Sequence, residues 1–246
     1  MPIPWLEPGD SFPPTHLALT EPDGLLAAGA DLTVDTLLAA YARGIFPWFS
    51  DDDPILWWTP SPRCVLHPEQ FYTSRRTQRR MHNPRWRFAL NTAFEQVMLA
   101  CATTPRHGQH GTWITDDMLA AYRHLHHAGY AHSFELWEDE QLVGGLYGVR
   151  LGRMFFGESM FSHRTDASKA IMTLMMSQAE PLQIALLDCQ VASPHLLSLG
   201  ATTLSRPAFE SLLEDYRAQP VRPWQTIDPA PFSNWQQLPG GAGSKD

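Results

Sequence analysis

Past Gly129 the apolar residues of this 246-residue chain stop recurring every third or fourth position and begin to alternate. Ala131 to Trp137 alternates, EDEQ turns, and Leu142 to Val149 returns. Leu151-Gly152-Arg153 turns again, and Met154 to Gly157 makes a third run. Runs of this length divided by tight turns read as an antiparallel meander. Helical patterns flank it. Asn91 to Cys101 is one, capped by Asn91 or Thr92, and Thr115 caps another that runs to His127 and ends at Gly129. Asp166 to Gln178 is a third, with Ile171, Leu174 and Met175 on its apolar face. Ile184 to Leu187 is a continuous apolar run, as in a buried central strand. His195 to Leu199 reads as a short helix stopped by Gly200, and Ala201 to Leu204 as a strand. Pro207 opens a last helix that reaches Arg217.

Before the meander, Asp35 to Arg43 has helical spacing and stops at Gly44. From Ile45 to Pro68 a long helix is excluded, since Pro47, Pro54, Pro60 and Pro62 each remove a backbone donor. That stretch reads as strands and ordered loops, with a boundary near residue 65. The expected organisation is a small N-terminal domain over 1–65 and a larger one over 66–246, irregular from Gln219 onward. The element order is mixed α/β (α+β), with a mixed, largely antiparallel sheet. By analogy it is similar to the fold of the GNAT acyltransferases, and fold alone does not assign function.

Composition bounds the rest. With 43% hydrophobic and 18% charged residues the chain is globular rather than disordered. No apolar run approaches the ~20 residues of a membrane helix. The start, MPIPWLEPGDSF, has neither the basic residues nor the apolar stretch of a signal peptide, so the expected location is the cytoplasm. Cys64, Cys101 and Cys189 match no zinc spacing and read as reduced thiols. The formal charge of −8 argues against a nucleic-acid partner, but its distribution qualifies that. From Phe71 to Phe94 there is no acid, while Arg75, Arg76, Arg79, Arg80, Arg85 and Arg87 gather there. The patch fits either a solvated helix face or a grip on one end of an RNA.

Few constellations carry chemistry. His124, His126 and His127 cluster, but HExxH and paired-Cys elements are missing, so no metal is expected. No GxxxxGK[ST], GxGxxG or GxSxG occurs, and GGLYG at 144–148, placed between strands, reads as a bulge or close backbone approach. What remains is Leu186-Leu187-Asp188-Cys189-Gln190. Alternation puts Asp188 and Gln190 on one face and Cys189, a core residue, on the other. An acid and an amide ending an apolar strand are either a structural network or the polar groups of an acyl-transfer centre. Glu158, leaving the third strand, is either a turn acid or an anchor for a substrate amine or hydroxyl at the floor of an apolar pocket. Met172, Met175 and Met176 are core or the walls of that pocket, methionine suiting more than one apolar ligand. Trp48, Trp57, Trp58 and Trp113 stand in loop-like contexts near Tyr41 and Tyr122; they are either core, as most tryptophans are, or fit base stacking against an unpaired RNA end.

At these residues the chain resembles the leucyl/phenylalanyl-tRNA–protein transferase family. The matching stretches are EPDGLLAAGADL, YARGIFPWFSDDDPILWWTPSPRCVL, GTWITDDMLAAYRHLHHAGYAHSFELW, LVGGLYGV, FFGESMFS, DASKAI and LLDCQ, in family order. The resemblance implies an aminoacyltransferase that moves Leu or Phe, and less readily Met, from aminoacyl-tRNA to proteins with N-terminal Arg or Lys, marking them for degradation. It implies a monomer without cofactor. By motif, Asp188 and Gln190 form the reacting centre. Trp48 and Trp113 contact the terminal adenosine, with Tyr41 and Tyr122 near it. Glu158, Met160, Leu146, Met172, Met175 and Leu187 line the amino-acid side-chain pocket, and Arg75, Arg76, Arg79 and Arg80 contact the tRNA backbone. Two rivals make other demands on the sequence. An acetyl-CoA enzyme needs a Gly-rich pyrophosphate loop, which the stretch from Gly157 to Asp166 lacks. A non-catalytic tRNA-binding module leaves the Asp188–Gln190 pair without a role.

Overall fold

The computed structural model describes residues 3–104 and 114–224. The proline-rich N-terminal stretch folds as a four-stranded sheet of β1 (Trp5–Leu6), β2 (Leu25–Gly29), β3 (Phe46–Pro47) and β4 (Leu56–Trp58), in the order β1-β2-β4-β3. Strands this short suit a segment whose prolines withhold ladder donors. Between β2 and β3 lies α1 (Val34–Tyr41), capped by the Thr33 side chain, which accepts the Thr36 N–H.

The chain enters a second, seven-stranded sheet at β5 (Arg63–Leu66). After α2 (Arg75–Met81) come β6 (Trp86–Leu90), α3 (Phe94–Thr103) and α4 (Asp116–His127). The meander follows as β7 (Ala131–Glu138), β8 (Gln141–Leu151) and β9 (Met154–Ser162). Then come α5 (Ala167–Ser177), β10 (Leu186–Gln190), α6 (Pro194–Ser198), β11 (Thr202–Leu204) and α7 (Arg206–Arg217). The spatial order is β11-β5-β10-β9-β8-β7-β6. Every neighbouring pair is antiparallel except β9 with β10. The fold is mixed α/β with a largely antiparallel sheet, as the element order implies.

Three local readings are corrected. β6 forms inside the arginine-rich stretch, where the sequence suggested no strand: Trp86 and Phe88 turn inward and Arg87 lies over the Trp137 ring at 5.2 Å. The helix near residue 91 starts later, and neither Asn91 nor Thr92 caps it. Instead the buried Glu135 carboxylate of β7 accepts the backbone N–H groups of Thr92 and Ala93. β9 does not end at Gly157 but pairs with β8 as far as Ser162, so Glu158 sits inside a strand. GGLYG likewise lies within β8, and the close approach is real. A Cβ on Gly145 would meet Val97 of α3 at 2.9 Å, and one on Gly148 would meet the Phe156 carbonyl at 2.1 Å.

The two faces of the large sheet feed different cores, as strand alternation requires. Tyr147, Phe156 and Leu186 pack with α1, α3, α4, α7 and the small sheet. Their neighbours Leu146, Phe155 and Leu187 pack with α5. Trp224 closes this second core, its ring stacked on Phe155 at 5.6 Å under the Arg150 guanidinium. Among the described residues no helix is long and apolar enough to cross a membrane.

Candidate active site

The parallel ladder between β9 and β10 is short: Leu186 faces Met154, Leu187 faces Phe155, Asp188 faces Phe156, and pairing ends there. Both strands bulge immediately beyond. On β9, Gly157 pairs with Gly148 and Ser159 with Tyr147, leaving Glu158 as the extra residue. On β10, Asp188 pairs with Val65 and Gln190 with Cys64, leaving Cys189 extra. Bulges re-aim side chains and end pairing. The two strands part around a cavity of about 280 Å³. Gly157, Glu158, Ser159 and Met160 line it from β9, and Leu187, Cys189 and Gln190 from β10. Leu146 of β8, Met172 of α5 and Leu196 of α6 complete the wall.

Glu158 is the polar hub. Tyr41 Oη donates to Oε1 at 2.7 Å, Tyr122 Oη donates to Oε2 at 3.1 Å, and Gln190 Nε2 donates to Oε1 at 3.3 Å. The two tyrosine hydroxyls also contact each other. Two hydroxyl protons thus serve three oxygen–oxygen contacts when Glu158 is ionised, and a proton on Glu158 supplies the third. Burial raises this carboxyl to about 7, against the pull of the two tyrosines. Burial and the nearby carboxylate push both tyrosines well above their ordinary value, so they stay neutral donors.

Asp188 does not reach the cavity. Its carboxylate is fully buried and held in a fork by the equally buried Arg63, Nε to Oδ1 at 2.8 Å and Nη2 to Oδ2 at 2.7 Å. Oδ1 also accepts the Gln190 N–H at 2.9 Å. Gln190 has φ +61°, which breaks the strand alternation. The expectation that Asp188 and Gln190 share a face with Cys189 opposite is therefore corrected: Cys189 and Gln190 both face the cavity. The Cys64 thiol beside it and burial push Cys189 well above the usual thiol range, which disfavours a nucleophilic role.

The other expected site residues divide. Leu146, Glu158, Met160, Met172 and Leu187 line the cavity, whereas Met175 is fully buried in the core beneath. Tyr41 and Tyr122 are wholly buried and reach Glu158 through their hydroxyls, so neither offers a ring face to a base. Trp48 is 45% exposed and sits against Trp58 at 5.4 Å, while Trp113 lies outside the described residues. Arg75, Arg76 and Arg79 are exposed on α2. Arg76 and Arg80 lie 3.8 and 3.1 Å from Asp166. His124, His126 and His127 end α4, and no metal-holding group of three forms among the described residues. Sequence reasoning missed Arg63 and Cys189. The signal for Arg63 was a charge opening the apolar run Cys64-Val65-Leu66, which must be paired if buried.

Comparison with known proteins covers most of the chain. The family described as leucyl/phenylalanyl-tRNA protein transferase matches residues 65–214, and its N-terminal domain matches 30–61. A leucyl/phenylalanyl-tRNA–protein transferase of Alcanivorax borkumensis is 50% identical over 95% of this chain and 93% of its own length. One from Hydrogenovibrio crunogenus is 52% identical over 87% of this chain and 84% of its own. The solved structure of FemX superposes with a TM-score of 0.42 at 11% identity over 73% of this chain and 71% of its own, a likeness too weak to bear on the site. With half its residues shared across nearly its whole length, the chain belongs to the leucyl/phenylalanyl-tRNA protein transferase family and is an aminoacyltransferase.

Proposed function

We propose that this protein moves Leu or Phe, and less readily Met, from aminoacyl-tRNA to the α-amino group of proteins beginning with Arg or Lys, marking them for degradation, as a cytoplasmic monomer without cofactor. The observation that carries the reading is the cavity between the two bulges. It joins adaptable Leu and Met walls to one carboxylate and one amide, the carboxylate backed by two buried tyrosine hydroxyls. An apolar amino-acid side chain suits the walls, and its α-amino group suits Glu158. The pocket is smaller than the roughly 300–1,000 Å³ of drug-sized sites and fits a single residue. β-Branched Ile and Val are crowded at the mouth, at ~1–3 kcal/mol per misfit methyl, so discrimination is partial.

The ester is already activated, and transfer is a direct aminolysis. The acceptor amine, about 10–15% neutral at pH 7 for a pKa near 8, attacks the ester carbonyl carbon. The C–O3′ bond breaks, and the ribose 2′-hydroxyl passes its proton to O3′ while taking up the proton that the attacking amine releases. Gln190 donates through Nε2 to Glu158, so its carbonyl oxygen is left to accept from the attacking amine. Asp188, locked by Arg63, sets the position of Gln190. Alignment contributes on the order of 7 kcal/mol or more. Trp48 and Trp113 stack on the terminal adenosine near Tyr41 and Tyr122. Arg75, Arg76, Arg79 and Arg80 touch the tRNA backbone, two of them in competition with Asp166. With the arginines gathered in one patch of a chain of net charge −8 the footprint is small, and log K against log salt falls with a slope of only about −3 to −4.

The test is transfer of radiolabelled Leu or Phe from charged tRNA to an Arg-initiated peptide. Label in the peptide, abolished by prior RNase treatment, is expected. No transfer from charged tRNA, with acetyl-CoA acting as donor instead, overturns the reading.

A further inference from the structure

We infer that Arg63 is a positioning residue for the transfer centre: it fixes the Asp188 carboxylate, which holds the Gln190 backbone in its left-handed turn and so aims the Gln190 amide into the cavity. The inference rests on the reading of Gln190 as the group that meets the attacking amine.

A structural staple is the competing account of a buried Arg–Asp pair, and the register argues against it. β5 and β10 are already joined backbone to backbone where the pair lies, Asp188 opposite Val65 and Leu187 opposite Leu66. The ion pair ties no new elements together. Both of the guanidinium's hydrogen bonds go to Asp188, and Nη1 is buried without a partner. Two rings clamp the group instead, Phe46 of the small sheet at 4.9 Å and Phe209 of α7 at 4.7 Å. Phe209 is itself held close to Gly44, where an added Cβ would meet its ring at 2.6 Å.

The consequence of the pair lies past Asp188. There β10 has left β9, bulges at Cys189, and puts Gln190 at φ +61°, a conformation a residue with a Cβ adopts at a cost. Asp188 Oδ1 accepts the Gln190 N–H in that turn, and the same oxygen accepts Arg63 Nε. A bidentate guanidinium fixes both the place and the plane of a carboxylate, which a lysine ammonium does not. Orientation therefore runs from the two phenylalanine rings through Arg63 and Asp188 to the Gln190 amide, and from there to Glu158 at 3.3 Å.

The test is steady-state transfer to an Arg-initiated peptide with the charged tRNA varied, alongside thermal melting, for Arg63→Lys, the double variant Arg63→Met/Asp188→Leu, Gln190→Ala, and the triple combination. Apolar replacement of both partners of a buried ion pair is often tolerated by the fold. The double variant is expected to melt cooperatively, keep KM for the charged tRNA within about twofold, and lose kcat on the order of 100-fold, the scale of a reacting group misplaced by about an ångström. Adding Gln190→Ala is expected to cost nothing further, because both changes remove the same function. Arg63→Lys is expected to lower kcat about tenfold with KM unchanged, for want of the fork. A cooperatively folded double variant at wild-type kcat beside a slow Gln190→Ala overturns the inference and leaves the reading of Gln190 standing. So does a triple variant whose losses multiply. Should the double variant not fold, Arg63→Lys at wild-type kcat and melting temperature overturns it equally. Gln190→Ala at wild-type kcat removes the reading of Gln190 itself, and the inference with it.

Discussion

Glu135 and Glu158 sit on two strands of one sheet, and their surroundings set them apart. Glu135 is fully buried where β7 meets the start of α3. Fixed donors surround it: the N–H groups of Thr92 and Ala93, the Thr92 hydroxyl at 2.6 Å and the Ser133 hydroxyl at 2.6 Å. The helix N-terminus adds its positive end. Glu158 occupies a bulge at the edge of a cavity, and its partners are two phenols and an amide. Those hydroxyls can turn between it and each other, and the amide keeps its carbonyl oxygen for a ligand. A carboxylate met by backbone donors completes a fold. One met by groups that can rearrange remains available to a substrate.

Each half of that contrast can be broken separately. The largest expected effect is on the structural side. Glu135→Ala leaves several buried donors unmet and costs about 4 kcal/mol, which lowers the melting temperature by about 10 °C. Transfer per folded molecule stays within about twofold. Loss of transfer without loss of stability would make Glu135 part of the site.

Glu158→Gln comes next. It removes the charge proposed to anchor the donor's amino group, and kcat/KM is expected to fall on the order of 100-fold. Stability moves the other way. The folded carboxyl titrates at about 7 rather than its ordinary 4.5, so the native state binds more protons between those values and stability falls as pH rises through that window. Glutamine does not titrate. The variant's stability relative to wild type should therefore improve by about 3 kcal/mol between pH 4 and pH 8, readable from denaturant melts at the two pH values.

A smaller effect concerns the pH profile of wild-type donor binding. Affinity for an aminoacyl-adenosine analogue is expected to rise as pH passes through about 7, and Glu158→Gln flattens that limb. Tyr41→Phe removes a donor that favours the ionised form, so the limb moves up by as much as about one unit. A limb that ignores both changes would detach the titration from Glu158.

The smallest effect separates the two methionines. Met172 lines the cavity, so Met172→Ala is expected to shift the Phe-to-Leu ratio of kcat/KM by about tenfold. Met175 lies in the core, so Met175→Leu leaves that ratio unchanged and costs under about 1.5 kcal/mol.

The sequence is most informative where period and chemistry agree. The meander, the helices at 115–127 and 166–178, and five of the six pocket residues follow from alternation, capping residues and family motifs. What escaped reading depends on register. Nothing in FFGESMF or LLDCQ announces that Glu158 and Cys189 are surplus to their ladders, because a bulge is a property of two strands and not of one. The alternation rule therefore put Asp188 on the wrong face. β6 was hidden by the arginines around it, of which Arg87 lies over the Trp137 ring and Arg85 pairs with Asp139, and the cap of α3 by a carboxylate 43 residues away from Thr92.

The paired bulges carry one more consequence. The cavity exists because each of two adjacent strands is one residue longer than its pairing requires. Substitutions at Glu158 or Cys189 alter what the opening contains without closing it. Deleting Glu158 would remove the extra residue of β9 against β8, and deleting Cys189 that of β10 against β5, so each deletion is expected to re-aim the residues that line the opening. The opening is thus tied to the lengths of two strands as well as to the side chains that line it.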